Sequence, residues 1–174
     1  MKITIYGLPG TGTSTVGCLL AAKLGYEFKY SGAMFRQKAE ALSLTLNELE
    51  SLAQTDPSYD LELDQTVTAY GQKHTNFVFD SRLAWHFIPD SFKIKFDCSE
   101  PVRIARIARR ENKSLAQARA ETNDRMEKIF ERYARYYGIT NCTCEANFDF
   151  SINTTSISPS EVCARLETVI KDLK

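Results

Sequence analysis

Lys2-Ile3-Thr4-Ile5-Tyr6-Gly7-Leu8-Pro9-Gly10-Thr11-Gly12-Thr13-Ser14 decides how this chain is read. Residues 2–6 are rich in β-branched side chains and stop at a glycine, the pattern of a strand. A glycine-rich turn follows and runs directly into Thr13–Leu24, whose apolar spacing and trailing Gly25 suit a helix closed by a glycine cap. Strand, glycine turn and helix in that order form the setting of the phosphate-binding pattern G-x-x-x-x-G-K-[ST]. There, consecutive backbone N–H groups curl around an oxyanion and the helix N-terminus adds its dipole. Gly7–Ser14 meets the pattern everywhere except at Thr13, which stands where the pattern has lysine and so removes a full positive charge. Ser14 keeps the hydroxyl that such loops offer to Mg²⁺.

Outward from this stretch, strands and helices alternate. Tyr26–Tyr30 suits a second strand, and Ser31 is the expected N-cap of a helix to about Ala41. Leu44–Gln54 repeats apolar residues at helical spacing, and Asp56-Pro57 opens a further helix to about Lys73. Asn76–Asp80 is a compact apolar run ending in a carboxylate, and Phe92–Phe96 alternates as a strand with one wetter face. Two helices, Glu100–Glu111 and Ser114–Tyr137, precede a last strand at Phe148–Ile152. Ser158-Pro159-Ser160-Glu161 then carries an N-cap, a first-turn proline and an acid for a terminal helix. Five strands separated by helices predict a parallel sheet covered on both faces.

The chain has 174 residues, 43% of them hydrophobic and 25% charged, enough for one ordinary domain. Its longest apolar stretch, Val16–Ala22, is too short to cross a bilayer, and the apolar start ends at Gly7 without a signal-peptide core, so a cytoplasmic location is expected. Twenty-two basic and 22 acidic residues cancel, which argues against a polyanion binder such as a nucleic-acid-binding protein. The distribution is polarised: residues 103–135 hold ten Lys/Arg against five Asp/Glu, whereas residues 39–72 hold seven acids and no Lys or Arg. Five cysteines suggest reduced thiols; Cys18, Cys98 and Cys163 read as small core residues, and the lone Cys142-x-Cys144 pair is a weak metal motif.

With lysine missing from the loop, charge for phosphates must come from elsewhere. Arg36, Arg82 and the arginines of 103–135 are the available cations, and each offers a planar fork suited to phosphate oxygens. Arg36 and Arg82 lie just beyond strand ends, where ligands gather in open α/β sheets. Asp80 is placed either to hold the water shell of Mg²⁺ or to pair with Arg82. Arg106 and Arg109 read as helix-solvating residues or partners of Glu111, and Trp85 and Phe35 as core aromatics. Arg125 and Arg132, seven apart, share a helix face with Lys128.

These residues resemble the archaeal-type cytidylate kinases, P-loop nucleoside monophosphate kinases, over almost the whole chain. The blocks carrying the likeness include Gly7–Thr15, Ser31–Arg36, Asp56-Pro57 with Asp60 and Asp64, and Asp80–Trp85. Further on come Arg106–Glu111, Lys113-Ser114, Glu121-Thr122, Arg132-Tyr133, Tyr137-Gly138-Ile139 and Ile152-Asn153-Thr154. The resemblance implies a three-layer P-loop NTPase fold with a core at 1–30, 74–108 and 138–174, an acceptor-binding helical insert at 31–73 and an arginine-rich lid at 109–137. It implies that Gly7, Pro9, Gly10, Thr11, Gly12, Thr13, Ser14 and Thr15 bind ATP, with Ser14 and Asp80 at Mg²⁺. Ser31, Arg36 and Arg82 would hold the acceptor, and Arg110, Arg125 and Arg132 the transferred phosphoryl group. Members often carry Gly-Thr-Thr/Ser at the lysine position, so Thr13 is compatible with catalysis. Asp60 and Asp64, four apart on one helix face, are candidates to accept the amino group of cytosine, or else form a solvated acidic face. The expected activity is phosphoryl transfer from ATP to CMP or dCMP by a monomer. A kinase of AMP, dTMP or a shikimate-like acceptor, or a nucleotide-binding regulator without catalysis, is the alternative.

Overall fold

A computed structural model describes residues 1–173, with Leu46 and Asn47 described by their backbone alone. The chain runs β1 (Lys2–Gly7), α1 (Thr13–Leu24), β2 (Glu27–Tyr30), α2 (Ser31–Ala41), α3 (Leu46–Thr55) and α4 (Ser58–Lys73). It continues with β3 (Phe77–Asp80), α5 (Ala84–Phe87), β4 (Phe92–Asp97), α6 (Glu100–Glu111), α7 (Leu115–Tyr137), β5 (Phe150–Asn153) and α8 (Pro159–Asp172). The five strands form one parallel sheet in the order β2-β3-β1-β4-β5. The expected three-layer α/β/α architecture is present, and β1, which feeds the glycine-rich turn, lies at its centre.

Strand alternation sorts the side chains into two cores. Ile3 and Ile5 pair in register with Val78, Ile94 and their neighbours on one face, where Val16, Leu20, Val162, Leu166 and Ile170 from α1 and α8 cover them. Phe77 and Phe79 point to the other face and pack with Val67 of α4 and Ala84 and Ile88 around α5. Tyr6 also turns to that side, where it meets Leu83, Cys142 and the aromatic flank of α7. Among the described residues no helix is long and apolar enough to cross a membrane.

Local chemistry explains most helix boundaries. Gly25 and Gly138 end α1 and α7 in the left-handed conformation, and Thr45 and Glu48 form a reciprocal capping box at the start of α3. Ser114 and Ser158 cap α7 and α8 by accepting from Gln117 N and Glu161 N. Ser31 does not play the expected part: it is the first residue of α2, and the preceding Tyr30 offers no side-chain cap. At α4 the Asp56 carboxylate accepts from Ser58 N at 2.9 Å, so the acid before the proline begins the helix. The four-residue α5 is absent from the sequence reading, being too short to display a helical period. Cys18 is exposed rather than buried because α1 turns Val16, Gly17, Leu20 and Ala21 inward instead; Cys98 is half-buried and Cys163 alone of the three is in the core.

Residues 31–73 carry α2, α3 and α4 with short turns between them and separate β2 from its sheet neighbour β3. Within this segment α4 packs closely at Gly71 on the end of α5, where a Cβ would lie 2.8–3.1 Å from three carbons of the buried Ile88. Overpacking of this kind costs about 1–3 kcal/mol, while alanine in place of glycine returns about 1 kcal/mol of helix propensity. Gly71→Ala is therefore expected to lower stability by about 1 kcal/mol and the melting temperature by a few degrees. A melting temperature at or above wild type would show that α4 can move off Ile88 without cost.

Candidate active site

The loop between β1 and α1 is held from outside. Its carbonyl oxygens each meet a donor: Leu8 O accepts from Thr11 N and Oγ1, Pro9 O from Arg103 Nη1 at 3.0 Å, and Gly10 O from Arg106 Nη1 at 3.2 Å. Thr11 O accepts from Thr154 Oγ1 at 2.8 Å, and Gly12 O from Val16 N. Carbonyl oxygens turned outward leave the loop's remaining peptide N–H groups, Thr11 N being used on Leu8 O, to face the concavity, and the first N–H groups of α1 have no intrahelical partner. Gly10 and Gly12 make this path possible at φ +86° and +95°. At Gly10 a Cβ would also lie 2.5 Å from the backbone oxygen of Arg103, so α6 lies directly behind the loop.

Arg103 and Arg106 hold the loop from behind, a placement that their residue type and position do not announce. Arg106 neither solvates its helix nor pairs with Glu111; besides Gly10 O it donates to Thr154 O at 2.8 Å. The available signal was their three-residue spacing near the start of a helix that follows a central strand, which puts both on one face. Arg109, in contrast, is exposed as expected.

At the mouth of the loop Ser14 Oγ donates to Asp80 Oδ2 at 2.5 Å, and the Thr13 hydroxyl also reaches this carboxylate. Burial pushes Asp80 above the usual carboxylate range, and the two hydroxyls and Arg82 pull in the opposite direction. Among the described residues no cation forms an ion pair with Asp80, so Arg82 acts on it only at longer range. A carboxylate and a hydroxyl, both hard oxygen donors without a competing lysine, fit Mg²⁺. The Cys142-x-Cys144 motif is not drawn into a ligand cluster: Cys142 is buried near Tyr6, Cys144 is exposed, and among the described residues no group of three or more His, Cys, Asp or Glu could hold a metal ion.

The register Tyr30↔Asp80 brings the ends of β2 and β3 side by side, so that Ser31 and Arg36 of α2 start beside the Asp80–Arg82 turn. Arg36 is exposed, donates to Tyr30 Oη at 3.1 Å and lies over that ring. Arg82 is half-buried and its Nε has no partner. Trp85 takes the bland role expected of it, with Nε1 donating to the Arg82 carbonyl at 2.9 Å and its ring near Phe148.

Asp60 and Asp64 face α7 rather than water. Arg132 Nε donates to Asp60 at 2.7 Å in a pair buried on both sides, and Arg125 meets Glu50 of α3 at 3.5 Å. Arg135 and Tyr136 add bonds to the carbonyls of Gln54 and Ala53, and Tyr137 Oη donates to Asp64. The acidic and basic segments of the sequence are thus in contact. Lys128 shares this helix but turns to Asp124 at the surface. Arg110 lies one turn beyond Arg106 on α6, exposed and paired with Glu111 at 2.7 Å.

Asp64 lines a cavity of about 240 Å³ with Leu61, Gln65, Thr68, Phe87 and Tyr137. Burial, against the opposing Tyr137 hydrogen bond and with the neighbouring Asp60 charge, pushes its carboxyl up to about 7. The folded protein therefore holds a proton that the unfolded chain releases near pH 4, and stability falls as pH rises from there through about 7. Asp64→Asn is expected to flatten that decline, measured as melting temperature from pH 5 to 8. An unchanged slope would mean that Asp64 is ionised throughout.

Comparison with known proteins agrees with this geometry. A family model described as the cytidylate kinase-like family matches residues 2–156. The cytidylate kinase of Halobacterium salinarum is 40% identical over 164 residues, covering 93% of this chain and 85% of that protein. Those of Archaeoglobus fulgidus and Methanobrevibacter smithii are 36% and 32% identical, each covering 98% of this chain and 93% and 99% of their own lengths. Among solved structures, the shikimate kinase of Bacteroides thetaiotaomicron superposes with a TM-score of 0.68 at 14% identity, covering 98% of both chains. That of Aquifex aeolicus gives 0.64 at 17% identity, covering 98% of this chain and 96% of the other; both likenesses speak for the fold. A match across the sheet, the phosphate loop and the helices that carry the arginines means that the chain belongs to the cytidylate kinase-like family.

Proposed function

We propose that this protein transfers the γ-phosphoryl group of ATP to CMP or dCMP, giving the nucleoside diphosphate and ADP. The observation that carries the reading is the phosphate loop, in which every carbonyl from Leu8 to Gly12 has a donor, those of Pro9, Gly10 and Thr11 from outside the loop, so that the amides not used within it are left for an anion. The acceptor follows from the relatives named cytidylate kinase.

Phosphoryl transfer asks the protein for position and charge rather than covalent chemistry. An acceptor phosphate is already anionic, so no strong base is needed. Gly7, Pro9, Gly10, Thr11, Gly12, Thr13, Ser14 and Thr15 form the donor cradle. Ser14 and Asp80 hold Mg²⁺, which neutralises charge on the donor's outer phosphates when bound. Ser31, Arg36 and Arg82 grip the acceptor phosphate, and Arg82 Nε is a buried donor without a partner. Arg110, Arg125 and Arg132 gather around the transferring group, with Arg125 and Arg132 exchanging Glu50 and Asp60 for phosphate oxygens. In this reading 31–73 is the acceptor insert, 109–137 the lid, and the remaining segments the core; closure keeps water from the γ-phosphate.

Of the two carboxylates suited to the cytosine amino group, Asp60 is taken by Arg132, and Asp64 faces a cavity. We assign base recognition to Asp64. An ADP-release assay across CMP, dCMP, UMP, AMP, dTMP and shikimate tests the acceptor, with fastest turnover expected for CMP or dCMP. Robust turnover of AMP without CMP would overturn it, and ATP binding without any diphosphate product would overturn catalysis. Asp64→Asn, which can donate to the uracil carbonyl, is expected to shift the CMP-to-UMP preference by about tenfold toward UMP. Arg82→Ala is expected to raise the KM for CMP about tenfold or more and to lower kcat; unchanged kinetics would remove Arg82 from the site.

A further inference from the structure

We infer that Arg106 is a positioning residue for phosphoryl transfer, acting through the backbone of the phosphate loop rather than by touching a substrate. The inference rests on reading Gly7–Thr15 as the donor cradle. One guanidinium bridges two separate segments, with Nη1 donating to Gly10 O at 3.2 Å and Nη2 to Thr154 O at 2.8 Å. Thr154 in turn donates through Oγ1 to Thr11 O at 2.8 Å, so Gly10 and Thr11 are held by one linked unit. Arg103, three residues earlier on the same face, holds Pro9 O.

Such a clamp is needed because of what the loop is made of. Gly10 has φ +86° and no Cβ, so the peptide following it can rotate at little steric cost. Its N–H end is held only by the 3.2 Å bond from Thr11 N to Leu8 O; if the peptide rotated, Gly10 O would enter the concavity and a carbonyl dipole would face a phosphate. Charge-assisted bonds from a rigid fork oppose that rotation better than a neutral or single-point donor. Where lysine occupies the position of Thr13, its ammonium can bind the phosphates directly and offset an imperfect cradle. Thr13 cannot, so this chain depends on the amides being aimed in advance.

The test compares wild type, Arg106→Lys and Arg106→Ala by steady-state kinetics with ATP and CMP, and by inhibition with inorganic tripolyphosphate, which has the phosphates but no nucleoside. In Arg106→Ala the KM for ATP and the inhibition constant of tripolyphosphate are expected to rise together by about tenfold or more, with the KM for CMP at saturating ATP unchanged. Arg106→Lys keeps the charge but reaches only one carbonyl, and is expected to show most of the same loss; it carries the test if the alanine variant does not fold. Weakened ATP with unaltered tripolyphosphate would place Arg106 at the nucleoside and overturn the proposal. So would a lysine variant equal to wild type, or an equal loss for CMP. A wild type that binds neither ATP nor tripolyphosphate would instead overturn the loop reading on which the proposal stands.

Discussion

A peptide loop presents its N–H groups to one side most firmly when its carbonyl oxygens find donors on the opposite side. This constraint organises the molecule. Leu8 and Gly12 are satisfied within the loop and the first turn of α1, but Pro9, Gly10 and Thr11 are not. Their donors come from α6 and from the turn after β5. The central strand must therefore be flanked by β4, which leads into α6, with β5 one place further out, and that is the observed order of the sheet. The fold reads as the means by which three carbonyls are held away from one small concavity.

A second constraint ties the long helix α7 to the helical segment between β2 and β3. Zero net charge conceals a basic segment and an acidic one, and the structure sets them against each other through Arg132–Asp60 and Arg125–Glu50. The first pair is nearly out of water, with side-chain exposures of 5% and 12%, whereas the second keeps partial access to solvent. A buried pair gains little net stability, yet loss of one member strands the other at a cost of about 3–5 kcal/mol. Such a contact specifies arrangement more than it adds strength. Release of Arg132 to another anion would leave Asp60 buried and unpaired unless that carboxylate were solvated or protonated at the same time.

What could be read from the residues was whatever is local. The strand–turn–helix at the N-terminus, the five strands and the Ser158 cap follow from short patterns and appear where expected. The pairing of acidic and basic segments was foreshadowed by composition, although which arginine meets which acid was not. Arg106 resisted reading because its acceptors are backbone carbonyls, 96 and 48 residues away, and a carbonyl leaves no trace in the side-chain sequence. Asp60 and Asp64 were recognisable as a pair on one face, but only tertiary packing distinguishes them, by giving Arg132 to one and Tyr137 to the other. Ser31 and Cys18 went astray for a simpler reason. Residue type favours a cap or a core, and the helix phase overruled it.

The bond from Thr154 to Thr11 spans 143 positions of the chain and completes a loop formed near its beginning. On the ribosome the glycine-rich turn emerges early, long before the residues that lock its outer side have been made. Domains generally fold as units during synthesis, and contacts of such long range are the slow ones to form. The nascent chain thus carries a loop without its outer donors until its last strand is laid beside β4. On the reading of this loop as the nucleotide cradle, nucleotide would stabilise the finished protein and find no completed cradle in a shorter one, so that binding would reward completion of the chain rather than its early collapse.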